Sequence, residues 1–456
     1  MITYSIIPKT HLERGHRLDA EYYQPEYLEV AEKVNSLPHE TLESISESIV
    51  SFGAYALTNF IEWQDDGIPF IVAESIKEGF INYEDARCIS DKTDEILKKS
   101  RVREGQVLLS MSGSVGNAAV AYKIPVKLNS NQDIVKIKLR GKFSPYGLAA
   151  FLNSKYGRMQ VLRLPVGSVQ QHIFIWQTKS LLIPIFPETF MNGIEKIYKE
   201  GLDQLQISKS LYSQAEDLLL KELGLKDFKP EEDLSYIVNL SDVKSAHRAD
   251  AEYFQPKYRK LISKICKHPK VYTLNDVATI KRGSLIDPKF YDYNKGIPYI
   301  RGKDFSSGWL EKASLVYISK DFKVSNETRV KKGDLVFASI GSVGTLALVN
   351  GEFDGSFISN NTGKITIRNK DEIIPEYLAI LLQSTVGKLQ FRKEASQTAQ
   401  PKISDSQVRN FKIPGLPKST QENISDLVCQ SHQTLKKAKE LLEKAKREVE
   451  EFIEKK

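Results

Sequence analysis

Cysteine is scarce. The 456-residue chain holds three, Cys88, Cys266 and Cys429, far apart and forming no CxxC pair. That argues against a disulfide framework and against a thiolate metal site, and it fits a reduced, cytoplasmic setting. Long apolar runs are missing too: no stretch approaches the roughly 20 residues needed to span a bilayer, and the N-terminal MITYSIIPKTHLERGHR has no apolar signal core. No membrane association is expected. Catalytic signatures are likewise absent, with no GxxxxGK[ST] phosphate loop, no [DN]PP[YF] tetrapeptide and no HExxH. The motif GSVG occurs twice, at 113–116 and 341–344, but Ser112 and Ile340 stand where GxSxG needs its first glycine, so a hairpin turn is predicted. No catalytic residue, metal or cofactor is expected. Charge of one sign is not dominant either: the net +7 is compatible with a polyanionic partner without requiring one.

What the chain does have is an internal repeat. Arg17-Leu-Asp-Ala-Glu-Tyr-Tyr-Gln-Pro-Glu-Tyr27 returns as Arg248-Ala-Asp-Ala-Glu-Tyr-Phe-Gln-Pro-Lys-Tyr258, a shift of 231. Gly67-Ile-Pro-Phe-Ile71 returns as Gly296-Ile-Pro-Tyr-Ile300, and Leu152, Ser154, Gly157 and Gln160 return as Leu382, Ser384, Gly387 and Gln390. Small loop insertions explain the drift of up to three residues, and the chain is two tandem copies of one unit.

Each copy opens with a predicted helix, Asp19 to Val34 or Asp250 to Ile265, with Pro25 and Pro256 near the start where proline is tolerated. β-rich runs follow at 69–73, 107–110 and 135–139, and at 299–301, 335–339 and 364–368. A helical stretch comes next, 145–162 or 375–391, and then a polar loop and a last apolar run ending in Ile183-Pro184 or Ile413-Pro414.

Each copy closes with a long helix, Glu188 to Glu222 or Ser419 to Phe452, carrying a seven-residue apolar repeat. One row is small: Ile194, Gly201, Ser208 and Ala215 in the first, Ile424, Ser431, Ala438 and Ala445 in the second. A second row is large: Tyr198, Leu205, Tyr212 and Leu219, then Val428, Leu435, Leu442 and Val449. Small residues let two backbones approach closely while the large ones fill the sides of the seam. Two copies of one helix pack most simply across a pseudo-two-fold axis as an antiparallel pair. About 30 residues at roughly 1.5 Å each make a rod on the order of 45 Å, between one and one and a half turns of B-DNA. A charged linker, 224–234, joins the copies.

The repeated D-A-E-Y-[YF]-Q-P segment, the GIP[FY]I strand, the run into GSVG, the loops Gly167-Ser-Val-Gln-Gln-His-Ile173 and Ser396-Gln-Thr-Ala-Gln-Pro-Lys-Ile403, and the IP-x-x-P ahead of each long helix occur in the same order twice. In this order the chain resembles the specificity subunit of type I restriction–modification enzymes over essentially its whole length. The resemblance implies an α+β fold with two tandem-duplicated α/β target-recognition domains, separated by a pair of long antiparallel, coiled-coil-like helices in pseudo-two-fold symmetry. The expected boundaries are 1–186 and 235–416 for the domains, 187–223 and 417–456 for the spacer helices, and 224–234 for the linker. It further implies a non-catalytic subunit that reads a bipartite, asymmetric site on double-stranded DNA. Around it would bind two adenine-methyltransferase subunits and, for cleavage, two motor-nuclease (restriction) subunits. A protein-binding scaffold without DNA specificity and a bilobal enzyme with an interlobe site are the alternatives.

Lysine and arginine bind phosphates, and arginine, lysine, asparagine and glutamine read base edges. The candidate DNA-binding residues are Gln170, Gln171 and His172 in the loop of copy one, and Gln397, Gln400 and Lys402 in the matching loop of copy two. Lys281 and Arg282, placed in a loop, and Arg301 and Lys303, after the GIPYI strand, add charge, with solvated surface as the other reading. Tyr55 and Asn59 lie in a polar and aromatic loop that also holds Trp63, for which core packing is the other reading. Glutamine can equally tie a loop to its own backbone. Tyr22 and Tyr253 are the candidate partner-binding residues, since two identical partners would keep both segments alike, as a shared structural role also would.

Overall fold

A computed structural model describes the whole chain except residues 1–3, 11, 13–16, 53–58, 84–85, 166–171, 232, 293–294, 307, 311–314, 320–321 and 323–324. The chain divides into two units, Met1–Gln206 with Thr434–Lys456, and Ile207–Gln433. Each unit holds one head and half of each long helix.

In the first unit the strands are β1 (His39–Thr41), β2 (Ser46–Val50), β3 (Trp63–Gln64), β4 (Ile68–Ile71), β5 (Arg87–Ile89), β6 (Val107–Ser110), β7 (Ala118–Val120), β8 (Asn129–Ser130), β9 (Ile134–Leu139) and β10 (Leu182–Pro184). They form two four-stranded sheets, ordered β2-β9-β6-β7 and β3-β5-β4-β8, and the pair β1-β10. The second unit has β11 (Val271–Thr273), β12 (Ala278–Arg282), β13 (Tyr291–Asp292), β14 (Ile297–Ile300), β15 (Phe305–Ser306), β16 (Trp309–Leu310), β17 (Val316–Ile318), β18 (Leu335–Ala338), β19 (Leu346–Leu348), β20 (Phe357–Ile358), β21 (Thr362–Ile367) and β22 (Lys412–Pro414). Its sheets run β12-β21-β18-β19 and β13-β17-β14-β20, with the pairs β11-β22 and β15-β16. Strand for strand this is the first unit's order, including one parallel pairing, β4 with β8 and β14 with β20, in each. The GSVG segments are the turns of the β6-β7 and β18-β19 hairpins, and Gly113, Gly116, Gly341 and Gly344 all take positive φ there.

The opening helices begin later than predicted. Ala20–Tyr23 and Glu252–Phe254 are single 3₁₀ turns, and the α-helices start at Pro25 and Pro256, because a proline that ends one turn can still start the next. The helical stretch after each sheet is broken in two. Pro145–Asn153 gives way to Lys155–Leu162, and Pro375–Gln383 to Thr385–Glu394, with Ser154 and Ser384 capping the second helix. The chain turns so sharply there that a Cβ on Gly157 would stand 2.1 Å from the Phe151 carbonyl oxygen, and one on Gly387 2.1 Å from that of Leu382. Glycine recurs at this place because nothing larger fits. Gln160 and Gln390, one turn on, use their amides as a short strand: each bonds both backbone groups of Leu182 or Lys412.

The long helices span Glu188–Glu222 and Lys418–Lys455. Gly201 lies against Leu442 and the Ala438 carbonyl in the first unit, and in the second Ser208 faces Ser431. Within the first unit Phe190 also packs on Phe452, so the number on the facing helix falls as the helix number rises, the antiparallel pairing expected from the heptads. At Ser208 and Ser431 each hydroxyl donates to the other's backbone carbonyl, at 2.9 and 2.8 Å, both residues being buried. The large rows pack into the head cores: Tyr198, Leu205, Leu442 and Val449 with the first, Leu219 and Val428 with the second. No helix among the described residues is long and apolar enough to cross a membrane, and the three cysteines are free.

Candidate nucleic-acid interface

In each head the loop of highest sequence interest lies between the helix ending at Leu162 or Glu394 and the short helix Ile175–Lys179 or Asp405–Arg409. It sits beside the GSVG hairpin: His172 bridges Ser112 in copy one as Lys402 bridges Ile340 in copy two. In copy two the Ser396 amide donates to the Lys402 carbonyl at 2.8 Å, and the Lys402 amide donates to Ser396 Oγ at 2.9 Å. These bonds close Ser396–Lys402 at its base and leave its middle residues exposed.

The predicted residues fall into three groups. Gln400 and Lys402 are exposed at this loop, and Lys303 is exposed on a turn, so their side chains can reach a ligand. Asn59 is also exposed, in a short helical turn. Others are spent on their own chain. Lys281 and Arg282 belong to strand β12, not to a loop, because Ala278–Arg282 pairs residue by residue with Gly363–Ile367. Lys281 pairs with Glu327 at 3.0 Å, while Arg282 pairs with Asp405 and donates to the Ile403 carbonyl at 2.7 Å. Arg301 grips Asp304 with two nitrogens, at 2.9 and 3.0 Å, and this closes the turn after the GIPYI strand. Gln397 takes the local alternative and donates to the Arg392 and Ala395 carbonyls. Gln170, Gln171 and Tyr55 form the third group and lie outside the described residues.

Copy one presents a different face. His172 packs edge-on against Phe174 and holds Nδ1 3.9 Å from Asp133. Phe174 is 46% exposed and Trp176 69%, and both line an open groove of about 680 Å³ together with Met111, Asp133 and His172. The matching residues of copy two are Lys402, Ser404 and Ser406. The aromatic ridge is therefore not needed by the fold, and it stands as an exposed apolar patch beside the groove. Trp63 is 40% exposed, with Arg87 stacked 3.7 Å from its ring centroid, so it is not a core residue.

Tyr22 lies under Arg163 at 3.9 Å and Arg17 at 4.6 Å, and Tyr253 lies between Lys393 at 4.2 Å and Arg248 at 4.5 Å. Arg17 and Arg248 hold Asp19 and Asp250 in two-pronged ion pairs, and these hydrogen bonds keep both carboxyls below the usual carboxylate range. The repeated R-x-D-A-E-Y segment thus has a structural task in both heads.

Two residues escaped the sequence reading. Gln177 and Gln407 each accept from the amide of the residue three back, Phe174 or Ser404, at 2.8 Å. With the other end of the amide they donate to the Leu164 or Glu394 carbonyl, at 2.8 and 2.7 Å. Their identity at a shift of 230 was the available signal. Among the described residues no group of three or more His, Cys, Asp or Glu side chains could hold a metal ion.

Residues 267–448 match the family described as the type I restriction modification DNA specificity domain. The specificity subunit of the type I restriction enzyme MjaIX from Methanocaldococcus jannaschii is 25% identical over 195 residues, 40% of this chain and 43% of that protein. The matched stretch therefore spans less than half of that relative. Among solved structures, a type I restriction–modification S subunit from M. genitalium aligns over 92% of this chain and 96% of its own, at 13% identity and a TM-score of 0.42. The HsdS subunit from Thermoanaerobacter tengcongensis aligns over 90% and 95%, at 15% identity and a TM-score of 0.30. Residues 267–448 are thus similar to the type I restriction modification DNA specificity domain.

Proposed function

We propose that this chain is the DNA-recognition subunit of a type I restriction–modification complex. It reads a split, asymmetric site with two unlike heads and directs two adenine-methyltransferase subunits to it. For cleavage, two motor-nuclease subunits join. The chain performs no chemistry, takes no cofactor and works in the cytoplasm. One observation carries this reading: two heads with the same sheet order present unlike residues at the same loop position, Lys402, Ser404 and Ser406 against His172, Phe174 and Trp176. Equal scaffolds with unequal tips suit a ligand whose two halves differ. Phosphate contacts would come from Lys303 and Lys402 and base contacts from Gln400, with Gln170 and Gln171 in the other head. The partners, being identical, would use what the heads share: the segments 19–27 and 250–258 around Tyr22 and Tyr253.

Sequencing the host's methylated adenines with and without the chain tests the main claim. A two-part motif that disappears with the chain is the expected result, and an unchanged methylome refutes it. For the partners, Tyr22→Ala with Tyr253→Ala is expected to reduce the count of bound methyltransferase subunits in native mass spectrometry. Two still bound to a folded double variant would end that assignment.

A further inference from the structure

The two heads share one device. At the first end of each loop a single carbonyl, Leu164 or Glu394, accepts two donors: the amide of Gln177 or Gln407, and the guanidinium of Arg17 or Arg248 at 2.9 Å. The same arginine also reaches the next carbonyl, Pro165 at 3.2 Å or Ala395 at 3.1 Å. The remaining edge of the guanidinium is locked on Asp19 or Asp250. At the last end, the glutamine accepts from Phe174 or Ser404, so one side chain ties the two ends of the loop together. Copy two adds Arg282, which fastens Ile403 and Asp405 from strand β12. Gln177 is buried and Gln407 half-buried. Such bonds, between a planar fork and fixed carbonyls, set direction as well as distance.

We propose that Arg17 with Gln177, and Arg248 with Gln407 and Arg282, are positioning residues that fix the two ends of each recognition loop against the body of its head. They touch no base. They make the loop's ends independent of what its tip contains, so that one head can carry Gln-Gln-His and aromatics and the other Ala-Gln-Pro-Lys on an unchanged footing. The inference rests on the reading of the chain as a DNA-recognition subunit. It goes further in stating which residues convert a loop sequence into a base preference, and in stating that they act head by head.

The test uses the full chain expressed with its own partner subunits and reads methylated adenines genome-wide. Gln407→Glu keeps the acceptor for the Ser404 amide and removes the donor to Glu394. It is expected to relax one half of the motif, lowering the ratio of cognate to near-cognate methylation at least tenfold there and leaving the other half unchanged. Gln177→Glu is expected to relax the opposite half. Should Gln407→Glu fail to fold by thermal melting, Arg248→Lys, which keeps the charge beside Asp250 and loses the fork, is expected to act on the same half. A uniform fall in methylation with both ratios intact makes these residues merely structural and overturns the proposal, as does a folded variant with an unaltered motif. If the wild-type chain yields no split motif, the recognition reading itself has failed, an outcome distinct from a split motif that the variants do not relax.

Discussion

The seam of the long helices offers a quantitative test at Ser431. Its hydroxyl donates to the Ser208 carbonyl at 2.8 Å, and Ser208 returns the bond at 2.9 Å to the Ser431 carbonyl. Hydroxyl-to-backbone bonds in both directions require the two backbones to lie at the short distance that small residues allow. Ser431→Ala removes one of the pair and leaves the other, a loss of about 1 kcal/mol. Ser431→Leu removes the same bond and also inserts three more carbons where exposure is 0%. Overpacking of that kind costs about 1–3 kcal/mol more, so the total is about 2–4 kcal/mol. At roughly 2–4 °C per kcal/mol for a body of this size, the alanine variant is expected to melt about 3 °C lower and the leucine variant on the order of 10 °C lower. Scanning calorimetry of the full chain measures both. A leucine variant as stable as the alanine variant would mean that the seam tolerates bulk, and the argument from the small heptad row would fail. Ser208→Ala combined with Ser431→Ala extends the test, since two residues in direct contact are expected to depart from additivity by at least about 0.5 kcal/mol.

Three further outcomes follow from other sites. Gly387→Ala would gain about 1 kcal/mol if helix propensity decided, but its Cβ would meet the Leu382 carbonyl oxygen at 2.1 Å, so a loss of about 3 kcal/mol is expected; a gain in urea melts refutes it. Lys136 is buried, with Nζ donating to Ser130 Oγ at 2.9 Å, and burial holds its ammonium down to about 7. Between pH 7 and its ordinary 10.5 the unfolded chain binds more protons than the folded one, so stability rises with pH across that window. Lys136→Met is expected to flatten this rise in melting temperature, and an unchanged slope refutes it. Phe174→Ala with Trp176→Ala, both exposed, is expected to change stability by no more than about 0.5 kcal/mol each while weakening DNA binding in a salt-controlled fluorescence titration; equal affinity refutes a role for the ridge.

The limits of sequence reading are specific here. Duplication and heptads made the architecture legible, because each depends on period and identity along the chain, which a single sequence displays. Loop chemistry was less legible. Arg282 and Arg301 had the residue type of DNA contacts, but the nearest carboxylates, Asp405 and Asp304, capture them. Asp405 is 123 positions away from Arg282, and no pattern in sequence announces such a pairing. Gln177 and Gln407 were visible as a repeat without a role, since tying two ends of one loop is a statement about space.

By itself, then, the sequence determined that there are two copies, that each ends in a long helix with a narrow face, and that the usual catalytic and metal motifs are missing. These are properties of order and periodicity. Only the tertiary structure decided which polar side chains remain available to a ligand, because a charge is free or occupied according to the partners that folding brings within 3 Å. It also decided that the segment repeated most faithfully, R-x-D-A-E-Y, works as a clamp on backbone carbonyls nearly 150 residues away.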